Sequence, residues 1–270
     1  MLTLMYITNR PEVALIAQNA GVDRIFLDLE TIGKSDRQRG MDTVQSSHTI
    51  ADIQRVKEVL TTAELLVRCN SLYSGSAQEI DALINAGANV VMLPYFTTAE
   101  EAKTFIQMVG GRAKVCLLIE TPQAVENIDE ILALDGVDEV HIGINDLSIG
   151  YGKKFLFEVL SDGTVDALCQ KFKAKGIPYG FGGIASLGRG LLSSECVIME
   201  HYRLGSTRAI LSRSFCNTEK MRDLSAVKVV FNNGVKAIRE YEEYCAQNSD
   251  KWEDNRIETA KQIDSIVAGL

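Results

Sequence analysis

Glu120 closes the apolar run VCLLIE and Asp146 closes VHIGIND, with one helix-sized segment between them. Other runs end in the same way: Asp28 and Glu30 in RIFLDLE, Arg68 and Asn70 in LLVRCN, Asn145 beside Asp146, and Arg213 in AILSRSF. Ionised carboxylates brought together repel one another unless a cation lies between them. A hard divalent ion such as Mg²⁺ or Mn²⁺ meets that need, because it takes one or two carboxylates plus water and substrate oxygens. Glu120 and Asp146 are therefore the expected metal ligands. Arg68 offers a planar fork for a substrate carboxylate. A plainer alternative has Glu120 capping the helix that begins TPQAVEN and Asp146 capping a turn at LSIG. It serves either acid alone but does not explain the whole constellation.

These side chains can meet only if the runs that carry them are neighbours. Eight short apolar runs recur, at 2–8, 24–30, 65–70, 90–96, 114–120, 140–146, 179–185 and 209–215, and helical periodicity fills each gap. Continuously apolar strands are buried on both faces, as in a parallel sheet covered by helices. Eight β-α alternations predict a (β/α)8 TIM barrel over about 1–217. The other candidate, a doubly wound sheet, would place a glycine-rich turn after the first strand, where TNRPEV stands. Barrel enzymes work at the C-terminal ends of their strands, where these polar residues fall. The opposite ends read as apolar, with Arg24 and Lys114 as exceptions. Residues 218–270 read as a closing helix and one extra C-terminal helix with Ile257, Ile263, Ile266 and Val267 near one stripe. That stripe either packs under its own barrel or meets a second subunit, and a homo-oligomer is expected.

Hydrophobic content of 46% and charged content of 24% are ordinary globular values. With 4 prolines and no low-complexity run, a single domain over 1–270 is expected. A net charge of −8 without a Lys/Arg cluster argues against nucleic acid as a partner. MLTLMYITNRPEV lacks a basic leader and reads as a strand. No apolar run approaches the roughly 18 residues that span a bilayer, so no membrane partner is expected. Six scattered cysteines without CxxC spacing fit free thiols in a cytoplasmic protein.

The stretch IETPQAVENIDEILALDGVDEVHIGINDLSIGYG resembles the signature of the HpcH/HpaI aldolase and citrate lyase beta-subunit family. The matching residues are Glu120, Ala124, Asn127, Gly136, Val137, Asp138, Gly143, Asn145, Asp146, Leu147 and Ser148. FLDLE, VRCN and GANVVMLPYF add weaker likeness, and together the resemblance covers roughly 20–215. It implies a divalent-metal-dependent carbon–carbon lyase with Mg²⁺ or Mn²⁺ (other divalent cations fitting too) on Glu120 and Asp146. A pyruvate-like keto acid would chelate the ion, and the cation would stabilise the enolate formed as the bond breaks. The resemblance also implies that Arg68 binds the charged oxygen and Glu30 holds metal-bound water. Gly143, Ile144 and Asn145 would touch the keto acid, with Asp28 beside them.

Two departures bear on the chemistry. The aldolase branch places a histidine after the strand 2 glutamate, where Thr31 stands; the citrate lyase branch has an acid there, followed by basic residues that Lys34 and Arg37 approximate. His48, on the loop after strand 2, is the substitute considered for the catalytic base. His141 within strand 6 and His201 read as structural, and Lys153 and Lys154 as a solvated face. No lysine ends a barrel strand, which disfavours Schiff-base chemistry. The leading expectation is a class II aldolase joining pyruvate to an aldehyde. The alternatives are an acyl-CoA lyase and a barrel that binds a keto acid without turnover. Arg189 and Arg213 stand in loops that could meet an anionic acceptor.

Overall fold

The computed structural model describes residues 1–33 and 48–270. Its strands are β1 (Thr3–Ile7), β2 (Arg24–Asp28), β3 (Glu64–Arg68), β4 (Val90–Leu93), β5 (Lys114–Ile119), β6 (Glu139–Ile142), β7 (Tyr179–Ile184) and β8 (Arg208–Leu211). They pair in parallel in sequence order and β8 closes on β1, so the fold is the expected TIM barrel. Each strand lies within its predicted run or starts one residue ahead of it. Alternate residues point in and out of the barrel wall. Inward side chains, among them Met5, Phe26, Met92 and Leu118, form a small inner cluster. Outward ones such as Ile25, Val67, Leu117 and Ile142 join the larger core under the helices.

Among the described residues the outer layer comprises α1 (Pro11–Asn19), α2 (Ile50–Val59), α3 (Ser76–Asn85), α4 (Ala99–Val109), α5 (Pro122–Glu126) and α6 (Ile128–Ile131). It continues with α7 (Ile144–Gly150), α8 (Glu158–Ser161), α9 (Thr164–Lys175), α10 (Ser194–Leu204), α11 (Leu224–Gln247) and α12 (Trp252–Ala268). Local chemistry sets several of their ends. Thr49 with Asp52 and Thr98 with Glu101 form reciprocal capping boxes, and Gly110 ends α4 in the left-handed region. The α5 cap is Thr121, whose hydroxyl accepts from the Ala124 N–H at 3.1 Å, so Glu120 is not needed there.

The closing helix starts at Leu224, where the Asp223 carboxylate accepts from the Ser225 N–H at 2.9 Å. The last helix packs on its own barrel. Asn255 Nδ2 donates to the Cys196 carbonyl and to Glu200 in α10, and Ile263 is fully buried. Ile257 is 41% exposed and lies off the predicted stripe. All six cysteines are buried free thiols. No helix among the described residues is long and apolar enough to cross a membrane.

The N-terminal end of the barrel departs from the sequence reading. Glu64, Glu139 and Arg208, each the first residue of its strand, join Arg24 and Lys114 in one ion network. Arg24 reaches Glu139 at 2.5 Å and Glu64 at 2.6 Å; Arg208 reaches Glu139 at 2.8 Å and Lys114 reaches Glu64 at 2.5 Å. Arg24 and Glu139 are each only 2% exposed. Burial opposes the Glu139 charge, but the two arginines outweigh it and hold the carboxyl below its ordinary range. Charge is thus present at both barrel ends, and at this one three cations and two acids are mutually paired.

Candidate active site

At the other end a cavity of about 560 Å³ opens between the strand termini. Register explains its two charged groups. Asp28 and Arg68 are lateral partners on β2 and β3, and their side chains form a parallel fork: Nε to Oδ1 at 2.9 Å and Nη2 to Oδ2 at 2.8 Å. Glu30 Oε2 lies 3.4 Å from Arg68 Nε. Burial works against the guanidinium charge, yet Asp28 and Glu30 more than offset it and hold Arg68 above its usual range. Asn70 ties down the following loop, its Oδ1 accepting the N–H groups of Thr31 at 2.8 Å and Ile32 at 2.9 Å.

Ile119 and Ile142 are paired on β5 and β6, which brings Glu120 against Gly143. Glu120 is 2% exposed, and its Oε1 accepts the Tyr95 N–H at 2.9 Å. Tyr95 adopts φ 48°, the one non-glycine among the described residues on that side of the map. A side chain in this conformation costs on the order of 1 kcal/mol, so the turn after β4 stores strain while aiming its N–H at Glu120. At Gly143 an added Cβ would lie 2.6 Å from Glu120 Oε2 and 2.7 Å from its Cβ. Only glycine lets the carboxylate occupy this place. Gly143 then opens α7, which carries Asn145 and puts Asp146 in its first turn.

Burial, followed by repulsion from Asp146 and Glu30, pushes the Glu120 carboxyl up to about 8 despite the attraction of Arg68. A bound cation reverses that logic. Among the described residues no three or more His, Cys, Asp or Glu side chains converge as a metal cage. The donor set is two carboxylates facing an open cavity. This fits a partly hydrated Mg²⁺ or Mn²⁺, which keeps positions for water and substrate, and does not fit structural zinc.

The structure therefore brings Asp28, Arg68, Glu120, Gly143, Ile144, Asn145 and Asp146 together around the cavity, with Ile144 buried at the start of α7 and Glu30 beside Arg68. His48 also lines the cavity, but its Nδ1 accepts the Asp28 N–H at 2.9 Å. In the neutral ring Nε2 then carries the proton, so as held here His48 offers a donor rather than a base. Lys34 and Arg37 lie outside the described residues. Lys153 is bound to Asp162 at 2.8 Å and serves its own loop.

Two further residues shape the site: Tyr95, which the sequence reading did not single out, and His141, which it read as structural. Tyr95 left no signal, since tyrosine does not announce a left-handed turn. His141 alternates inward with Glu139 and Gly143 and lines the cavity floor, fully buried, with Nδ1 unpartnered. Burial together with the Arg208, Arg24 and Arg68 charges outweighs the pull of Glu139 and lowers its pKa to about 4. It is a neutral imidazole. The in-out alternation leading to Gly143 was the available clue.

A closed parallel barrel with acids, an arginine and a tight amide turn at its strand C-termini has the layout of a barrel enzyme. The chain belongs to the HpcH/HpaI aldolase/citrate lyase family, whose description matches residues 2–170. It is similar to a hydroxypyruvate/pyruvate aldolase of Sagittula stellata, 32% identical over 44% of this chain and 58% of that relative. It is also similar to a 4-hydroxy-2-oxovalerate aldolase of Novosphingobium aromaticivorans, 26% identical over 74% of this chain and 78% of the relative. The chain thus spans less than two thirds of the first relative's length. The crystal structure of an HpcH/HpaI aldolase from Desulfitobacterium hafniense superposes with a TM-score of 0.62 at 17% identity, covering 84% of this chain and 93% of the other, a likeness of fold.

Proposed function

We propose that the protein is a divalent-metal-dependent carbon–carbon lyase, a class II aldolase that cleaves or forms 2-keto acids through a pyruvate enolate. The observation that carries this reading is the convergence of Glu120, Asp146 and the Asp28-anchored Arg68 on one cavity. The names of the relatives, aldolases of pyruvate, hydroxypyruvate and 4-hydroxy-2-oxovalerate, support the substrate class.

Glu120 and Asp146 would hold Mg²⁺ or Mn²⁺. When bound, the ion supplies Lewis-acid stabilisation of negative charge on the keto oxygen. Arg68, oriented by Asp28, aims its remaining N–H groups at the oxygen on which that charge develops. Glu30 accepts hydrogen bonds from water at the centre, and the main chain from Gly143 to Asn145 seats the keto-acid carboxylate. His48 donates from Nε2, orienting the acceptor oxygen. In the cleavage direction the acceptor hydroxyl would pass its proton to water held by Glu30 as the C3–C4 bond breaks, giving an aldehyde and the enolate, which would take a proton back from that water at C3.

The test is proton NMR of pyruvate in D2O with enzyme and Mg²⁺ or Mn²⁺, then with EDTA. Metal-dependent loss of the methyl signal is expected. A methyl signal that persists with every divalent ion, or that exchanges equally in EDTA, overturns the proposal. The acyl-CoA alternative rests on Lys34 and Arg37, which lie outside the described residues.

A further inference from the structure

One polar side chain of the cavity has no task in the proposed reaction. His141 lines the floor, 2% exposed, and its Nδ1 has no partner among the described residues. The inner wall around it is apolar, built from Phe26, Met92, Leu118 and Ile210. Inward positions of such barrels are ordinarily filled by bulky apolar side chains. A buried nitrogen left unpaired is costly, and native interiors keep few of them. An imidazole held here, where an apolar side chain would pack without that cost, points to a ligand that pairs with it.

The neighbouring strand makes room for one. His141 pairs laterally with Gly180 of β7, and Gly182 and Gly183 follow on the cavity side. Two of these positions require glycine. An added Cβ at Gly180 would run into the Arg208 carbonyl oxygen, and Gly182 has φ 61°. The wall next to the ring is therefore bare backbone, and the space that side chains would fill stays open to a small ligand group.

The ring itself selects the chemistry of that group. A neutral imidazole carries one donor and one acceptor, and a hydroxyl can complement whichever nitrogen it meets. A carboxylate would be buried against apolar walls, away from the ion and the main-chain seat that suit it. An ammonium would meet the same walls, with the Arg24 and Arg208 charges beyond them. Position decides which substrate carries the hydroxyl. Gly143, where the keto-acid seat begins, follows His141 by two residues, about 7 Å of extended chain. The keto acid thus lies next to the floor, and the acceptor approaches from the mouth side.

We infer that His141 determines donor specificity by exchanging a hydrogen bond with a hydroxyl on C3 of the keto acid, so that a 3-hydroxy-2-keto acid is preferred to pyruvate. The inference rests on the aldolase reading for the identity of the donor.

The test uses glycerate and lactate, which differ by the C3 hydroxyl alone and do not turn over. Both are titrated calorimetrically into Mn²⁺-loaded wild type and into the His141→Phe, His141→Leu and His141→Gln variants, with a thermal melt of each. Wild type should bind glycerate roughly tenfold more tightly than lactate, the worth of one buried hydrogen bond. His141→Phe and His141→Leu should bind the two about equally. His141→Gln, which keeps a donor and an acceptor, should recover part of the preference. In steady-state condensation with propionaldehyde, the ratio of kcat/KM for hydroxypyruvate to that for pyruvate should fall roughly tenfold in His141→Phe. Equal binding of glycerate and lactate by wild type, or a preference that survives in a folded His141→Phe or His141→Leu protein, overturns the inference. A preference that vanishes as expected in a protein unable to exchange the pyruvate methyl retains the hydroxyl contact and removes the aldolase reading.

Discussion

Replacing Gly143 by alanine perturbs the metal site through one methyl group. The backbone there has φ −82°, which alanine adopts without strain, so the effect is purely of contact. The new Cβ would stand 2.6 Å from Glu120 Oε2, whereas ordinary contact begins at 3.4 Å, so the oxygen must retreat by about 0.8 Å. Retreat is obstructed, because Oε1 is held by the Tyr95 N–H at 2.9 Å and Leu118 Cδ1 lies 3.3 Å from the same methyl position. Metal–oxygen bonds tolerate about 0.2 Å, so Glu120 would fall out of ligating range. Overpacking should cost about 1–3 kcal/mol of stability, and Mn²⁺ affinity should fall roughly 10- to 100-fold. Calorimetric titration of Mn²⁺ at a pH above 8, with a thermal melt of each protein and Glu120→Gln as the floor, measures both. A Gly143→Ala protein that binds Mn²⁺ within twofold of wild type would refute Glu120 as a ligand held by this contact.

The raised Glu120 pKa has consequences for pH. Its carboxyl is pushed up from 4.5 to about 8 in the folded chain. The protonated form is therefore favoured by folding, and metal-free stability declines as pH rises from 4.5 through 8. Metal must displace that proton, so Mn²⁺ affinity should climb about tenfold per pH unit up to 8 with one proton released, read by calorimetry in buffers of different ionisation enthalpy. A flat profile between pH 6 and 9 counts against it. Arg68→Lys keeps the charge but not the fork onto Asp28, and kcat/KM should drop roughly 10²- to 10³-fold in steady-state assays; a loss below fivefold removes Arg68 from the charged oxygen. His141, depressed from 6.5 to about 4, contributes stability that is lost as pH falls through that window. His141→Phe should flatten the acid limb of the melting profile and gain about 1 kcal/mol at neutral pH by deleting an unpartnered nitrogen; an unaltered acid limb contradicts the buried neutral ring.

Much of this was legible in sequence because hydrophobic runs of strand length, each followed by a helical period and a glycine, have few other solutions. The strand starts were not. Glu64, Glu139 and Arg208 look like solvent-facing residues, and only the closed barrel reveals that they face one another across its interior. The site acids and Arg68 could be found because strand ends in a barrel converge whatever the loops do. His48 was found as a position but not as a chemical species, since its tautomer depends on the Asp28 N–H. Tyr95 could not be found: a left-handed turn at tyrosine is imposed by tertiary contacts against local preference. The C-terminal stripe was half right, Ile263 being buried and Ile257 not, because a surface helix buries only the arc that meets its neighbours, here α10 and α8.

The ion network at the closed end of the barrel restricts how this lineage can vary. Arg24 reaches two acids and Glu139 two bases, and these two are buried, so losing either one leaves the other a buried charge short of its closest partner, at a cost of about 3–5 kcal/mol. Exchanging both members of a pair for apolar residues of like volume costs far less or nothing. Single steps are thus blocked while double steps are open, and Arg24 with Glu139 should change together over descent. The catalytic end faces the opposite rule, since each of its charges answers to a ligand that does not itself mutate. One barrel therefore carries two tempos of change, concerted at its base and position by position at its mouth.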